Sequence, residues 1–171
     1  MRRLCETVIH DEAQAPPHAL GTCFAYLVEN NILNDLVRLC LPDEPLGILD
    51  EFLRMCTTLV RHIHVPWFLA NEGVAHALLQ LLRSCNKKQQ KPPGLVELVY
   101  ALCARIHQQP DTLRVLVQLG AQLPKERPAD RFPLMTCIVR HITMDGPSGR
   151  HMRTSLVWVM HCLLYTSDAA D

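Results

Sequence analysis

The chain has 171 residues, carries 17 acidic and 17 basic side chains, and is 49% hydrophobic but only 5% aromatic. A formal charge of zero leaves no basic excess to neutralise phosphates, which argues against a general nucleic-acid binder. No apolar run reaches the roughly 18 residues that a membrane span needs. Scarce Gly, with Leu, Val, Ile, Ala, Cys and Met as the apolar stock, favours helix-on-helix packing over a sheet.

Leu4, Val8 and Ile9 form a short apolar pattern that Ala15-Pro16-Pro17 breaks. Residues 1–18 therefore read as a short N-terminal segment, expected to be the end of a longer helix, with Met1 an internal methionine. Ala19 to Glu29 reads as a helix with Leu20, Cys23, Phe24 and Leu27 on one face. Asn30-Asn31 interrupts it and offers a cap to Ile32–Leu41, which groups Leu33, Leu36, Val37 and Cys40 before Pro42 and Pro45 end it. The clearest helix is Leu46 to Ile63. Leu49, Phe52, Leu53, Cys56, Leu59, Val60 and Ile63 recur there at helical spacing and violate strand alternation at once.

Val65-Pro66 opens a short turn through Ala70, and Asn71 is placed to cap a helix over Val74–Arg83. Asn86 to Gly94 is a linker rich in Lys, Gln and Pro, whose Lys87-Lys88-Gln89-Gln90-Lys91 run reads as a solvated loop. Leu95 to His107 carries another stripe: Leu95, Leu98, Val99, Leu102, Cys103 and Ile106. Asp111 is expected to cap a short helix ended by Gly120 at its C′ position. After a Pro-bounded loop, Ala129–Ile142 is expected to bury Phe132, Met135, Cys137, Ile138 and Ile142. Asp145-Gly146-Pro147 turns the chain into a last helix, about Ser148–His161, with Met152, Leu156, Val159 and Met160.

About seven substantial helices on short Pro- or Gly-bearing loops imply antiparallel neighbours. Their pairing at very roughly 40-residue intervals lies in the range of HEAT and armadillo repeats. The predicted fold class is all-α: a helical-repeat, HEAT/armadillo-like α-solenoid fragment of antiparallel helix pairs over 19–161. The last ten residues, 162–171, resemble the translation of a transposase-based sequencing adapter. They are read as a non-native tail and set aside, so the natural chain is expected to continue past His161. The last helix of such a piece should expose an apolar face through Met152, Leu156 and Met160.

The chemistry-bearing residues have structural readings. Eight cysteines are scattered without a CxxC, mostly on apolar faces, and no secretory signal precedes them, which fits a reducing, cytoplasmic compartment. Cys103/His107 and Cys137/His141 are Cys-x3-His pairs on single helical faces, the donor types zinc takes. Both cysteines also continue apolar stripes, and both histidines fall in a last helical turn, where the C-terminal dipole favours them. His62 and His64 diverge as i, i+2 positions. Asp43/Glu44 and Asp50/Glu51 sit in turns or helix starts, where carboxylates favour the N-terminal dipole. No Gly-rich elbow, Walker A or GxGxxG accompanies them. Trp67 and Phe68 either plug a groove between helix pairs or anchor a partner. No residue is assigned a catalytic, cofactor-binding or metal role, and no cofactor is expected.

Four ordered blocks carry a family resemblance: Tyr26-Leu-Val-Glu-Asn-Asn-Ile-Leu-Asn-Asp-Leu36, the leucine-rich helix Val74–Cys85, the Leu98–Val117 block with Leu102-Cys-Ala-Arg-Ile-His-Gln-Gln-Pro110, and the Pro133–Met160 hairpin. Together they span Gly21 to Met160 and resemble the FTS- and Hook-interacting, or retinoic-acid-induced-16-like, proteins. Asp145 departs from that family's Glu, and Arg150-His151 from its frequent acidic residue. The resemblance implies a non-catalytic scaffold. Its implied partners are a Hook coiled-coil protein, an inactive ubiquitin-conjugating-enzyme variant and an endosomal Rab GTPase, in a complex linking dynein to early endosomes. The competing readings are an unrelated HEAT/armadillo-like regulatory scaffold and, more remotely, a zinc-binding module or enzyme.

Overall fold

A computed structural model describes residues 1–16, 19–65, 68–122 and 131–168, with side chains as far as Leu164. Among the described residues there are nine helices: α1 (Arg2–Gln14), α2 (Thr22–Glu29), α3 (Ile32–Cys40), α4 (Ile48–His62), α5 (Glu72–Lys87), α6 (Gly94–Gln108), α7 (Asp111–Gln122), α8 (Pro133–His141) and α9 (Gly146–Asp168). The predicted Trp67, and Leu123 to Asp130 of the Pro-bounded loop, lie outside the described residues.

Helix contacts run along two rows. In one, α1 packs on α4, α4 on α6 and α6 on α9; in the other, α2 packs on α3, α3 on α5, and α5 on both α7 and α8. Most helices therefore lean on a neighbour in their own row as well as across to the other, which is the contact pattern of a helical repeat. The all-α helical-repeat fold is as expected.

The stripes explain the rows. Helix α4 buries Leu49, Phe52, Leu53, Cys56, Leu59 and Val60 as predicted, and it starts at Ile48, leaving Leu46 93% exposed. Helix α6 buries ten of its 15 residues, so apolar contacts reach it from nearly all sides and it forms the centre of its row. Helix α5 plays the same part opposite, burying Val74, Leu78, Leu79, Leu81 and Leu82. Between α3, α4 and α5 remains an apolar cavity of about 20 Å³, lined by residues including Leu33, Phe52, Cys56 and Leu78; such a lining stays dry.

Several expectations are corrected. Residues 2–14 are helical throughout, beyond the short apolar pattern of Leu4, Val8 and Ile9, with Cys5 and Val8 buried. Asn31 precedes α3 in a left-handed conformation (φ 57°), and its side chain makes no capping bond to the helix backbone; it accepts from the Asn34 amide instead. Asn71 does cap, accepting from Val74 N at 3.2 Å, but the helix it starts runs on to Lys87. Gly120 does not end α7. It is buried inside the helix, where a Cβ would lie 2.8 Å from the Arg131 carbonyl oxygen, so glycine is needed for close packing rather than for a stop. Phe132 is 45% exposed, because α8 begins only at Pro133 and turns Leu134, Cys137 and Ile138 inward.

Candidate interaction surfaces

Acidic groups fasten helix ends. Asp43 Oδ1 accepts from Gly47 N and Leu49 N, both at 3.0 Å, and so caps α4. Asp50 sits in the first turn of α4 yet caps a different helix: it accepts from Gly94 N at 2.7 Å, at the start of α6, and pairs with Arg54 at 2.8 Å. A Cβ at Gly94 would lie 3.0 Å from that carboxylate oxygen and 3.1 Å from Leu53 Cβ. Asp11 and Glu12 of α1 cap α2 in the same way, through Cys23 N and Gly21 N.

Buried polar side chains do similar work. The Asn86 amide donates to Pro133 O and accepts from the Cys137 thiol, both at 3.0 Å, while its backbone oxygen accepts from Lys91 and Arg140. Helix α8 is thereby pinned to the end of α5. Lys91 also donates to Lys88 O at 2.9 Å, so the basic run is not wholly solvated: its last ammonium satisfies carbonyls at the α5 terminus, where a cation is favoured. Arg105 is buried and donates to Ile63 O at 2.9 Å and to His64 Nδ1 at 3.1 Å, closing the end of α4. His62 instead bonds Thr58 O of its own helix at 2.9 Å, so the two histidines part as their spacing predicted.

The two Cys-x3-His pairs do not meet. Cys137 is engaged with Asn86, and His141 is buried with Nδ1 2.7 Å from Cys137 O. Cys103 lies beside Ser155 and Cys162, while His107 stacks on Trp158. Among the described residues no three His, Cys, Asp or Glu side chains group as a metal ion requires. All eight cysteines are free thiols and seven of them are buried. Burial pushes their pKa values up, to about 11 for Cys85 and about 12 for Cys103 and Cys137. Such thiols are protonated and poor nucleophiles at neutral pH.

Two surfaces carry aromatic or large apolar side chains that are not fully buried. The first lies along the α6–α9 seam, where five rings from alternate helices form a ladder. His151 stacks on Tyr100 (4.2 Å between centroids, 20° between planes), and Tyr100 tilts against Trp158 (5.2 Å). Trp158 in turn stacks on His107 (5.6 Å, 14°), which meets His161 edge-on at 5.7 Å. The spacing permits this: Tyr100 and His107 are seven apart on α6, as are His151 and Trp158 on α9, so each pair shares a face. Glu97 extends the ladder across to α4, pairing with Arg61 at 3.0 Å and His151 at 3.2 Å. Because the ring faces are largely taken up by one another, the ladder fastens α9 to α6.

The second surface is the α8–α9 end, which holds seven of the eleven exposed large apolar side chains, including Val139, Met144, Val157 and Met160. The exposed face predicted on the last helix is present, but rotated. Met152 is fully buried and Leu156 partly so; Met152, Ser155, Val159 and Cys162 form the inward stripe, and Val157 (66% exposed) and Met160 (45%) face out. The helix runs through Asp168, so the adapter-like string continues it, and Cys162 Sγ reaches Ile106 O at 3.6 Å. No helix among the described residues is long and apolar enough to cross a membrane.

Comparison with known families places residues 23–170 within the family profile of retinoic acid induced 16-like proteins, a match that covers every helix but the first. No solved structure matches the chain.

Proposed function

The chain belongs to the retinoic acid induced 16-like protein family, and on that premise we propose that it is a non-catalytic scaffold, part of a Hook-interacting subunit that links dynein to early endosomes. The proposed partners are a Hook coiled-coil protein, an inactive ubiquitin-conjugating-enzyme variant and an endosomal Rab GTPase. The proposed location is cytoplasmic, peripheral to early endosomes. The family match along nearly the whole helical stack carries this reading.

The use of the polar groups supports it. Asp43 and Asp50 are occupied in capping, His107 and His151 in ring stacking, and the thiols of Cys85, Cys103 and Cys137 are held protonated by burial. An acid–base or nucleophilic reaction needs such groups facing a substrate at a suitable pKa. A stack of helices suits the binding of extended helical partners.

The test is co-expression of the tagged chain with a Hook coiled-coil protein and the inactive ubiquitin-conjugating-enzyme variant, followed by size exclusion of the purified material. The scaffold reading expects all three in one peak. Elution of the tagged chain alone, folded and free of both partners, would overturn it.

A further inference from the structure

Grooves on the outside of the stack differ in how their polar groups are used. Between α4 and α6, Arg54 and Arg61 are paired with Asp50, Glu51 and Glu97, and the hydroxyls of Thr57 and Thr58 bond carbonyls of their own helix. Beside the α3–α4 and α5–α6 loops, Asp43 and Asp50 cap helices and Lys91 satisfies carbonyls. The groove across α3, α5 and α7, of about 400 Å³, is lined by residues including Asn34, Asp35, Glu72, Gln80 and Gln122. Within the described residues the side chains of Glu72, Gln80 and Gln122 have no hydrogen-bond or ionic partner. Asn34 gives one N–H to Asn31 Oδ1 at 3.0 Å and faces His76 Nδ1 at 3.4 Å, so its amide keeps a second donor and a second lone pair.

This face does not depend on the last helix. Further helices of a repeat stack at the end of a row, beyond α8 and α9, and not across the flank of α3, α5 and α7.

The lining selects the occupant. One amide from each of three successive helices of a row offers what a peptide group needs, an N–H donor beside a C=O acceptor. Neighbouring helix axes lie about 8–10 Å apart, and an extended chain advances about 3.3 Å per residue. Amides on adjacent helices therefore meet every third residue of such a chain. A helical occupant holds its backbone groups within itself and would leave these amides unused. Charge adds a side-chain preference. Asp35 and Glu72 line the groove against one permanent cation, Arg38, which sits 3.9 Å from Asp35 and leaves Glu72 to face a basic group.

We propose that the groove across α3, α5 and α7 holds an extended segment of a partner protein, its backbone paired with the amides of Asn34, Gln80 and Gln122 and a Lys or Arg side chain set against Glu72. The proposal deepens the scaffold reading and rests on it for there being a protein partner at all.

The probe is a random ten-residue peptide library panned against the folded full chain, followed by the selected peptide made with a fluorophore. Selected sequences should carry Lys or Arg, and their binding should weaken as salt rises. N-methylation of alternate backbone amides removes N–H donors while keeping every side chain, and it should weaken binding about tenfold. Gln80→Ala/Gln122→Ala should also lose about tenfold. Glu72→Lys should prefer a version of the peptide with Glu in place of its basic residue. Gln122→Ala alone, at an exposed position, should move affinity in the same direction if the double variant unfolds. Selection of no peptide, of acidic peptides, or of peptides whose binding survives N-methylation and the double variant would overturn the proposal. Recovery of the Hook complex with no such peptide selected would leave the scaffold standing and remove this groove. Peptide binding that meets every expectation, without the complex, would keep the groove and remove the Hook partner.

Discussion

The middle of the stack and its α8–α9 end use the same apolar residue types and differ in how many sides are covered. Helix α6 is enclosed by α4, α9 and the opposite row, so nearly every apolar residue on it is buried. Helix α9 has apolar residues on two faces and packs only one of them. The difference teaches that apolar content alone does not mark core in a helical repeat. Position within the row decides whether a stripe is packed within the fold or left exposed.

The broadest way to probe that contrast is alkaline pH. The thiols of Cys56, Cys85, Cys103 and Cys137 are all held protonated by burial. Their folded pKa values are raised, so their contribution is complete below the unfolded pKa near 9 and is lost as pH climbs toward the folded values. Each such thiol should cost about 1 kcal/mol by one pH unit above its unfolded value. Denaturant midpoints between pH 8 and pH 10 check this, and Cys103→Ala should flatten the fall.

Side-chain truncation sharpens the contrast. Leu102→Ala, in the centre of α6, should destabilise by about 3 kcal/mol, whereas Met160→Ala, on the open face of α9, should stay within about 0.5 kcal/mol. Equal losses in urea melts would mean that both helices are covered alike. Asn86→Ala should cost about 2 kcal/mol, since it strands the Pro133 carbonyl and frees α8 from α5. Its signature is faster amide exchange in α8 than in α4. The smallest effect is expected for Glu97→Gln, below about 1 kcal/mol and fading in high salt, because its pairs with Arg61 and His151 are substantially exposed.

Helices whose apolar residues form one stripe were legible in sequence; α4 and α6 are found within two residues of their predicted bounds. Helix α9 was located, but its rotation was not. With Met152 and Val159 on one side and Val157 and Met160 on another, periodicity supports either face as the inner one. Gly120 looked like a helix stop because a glycine's two uses, ending a helix and admitting a close neighbour, share one letter. The cap that Asp50 gives to Gly94 spans 44 positions, and the ring ladder joins Tyr100 to His151. Such pairings arise only once the rows have formed, and no local spacing encodes them. Asn71 could be read as a cap because its partner, Val74, lies three residues away.

The central claim, a packed helical stack that works by presenting its surface to other proteins, is tested most directly by hydrogen exchange on the chain alone and after adding a Hook coiled-coil protein. The account predicts that amides of α4, α5 and α6 are the slowest in both states and that new protection appears on surface helices without change in the middle. Exchange profiles that coincide with and without the partner would contradict it, as would a middle that exchanges as fast as α1.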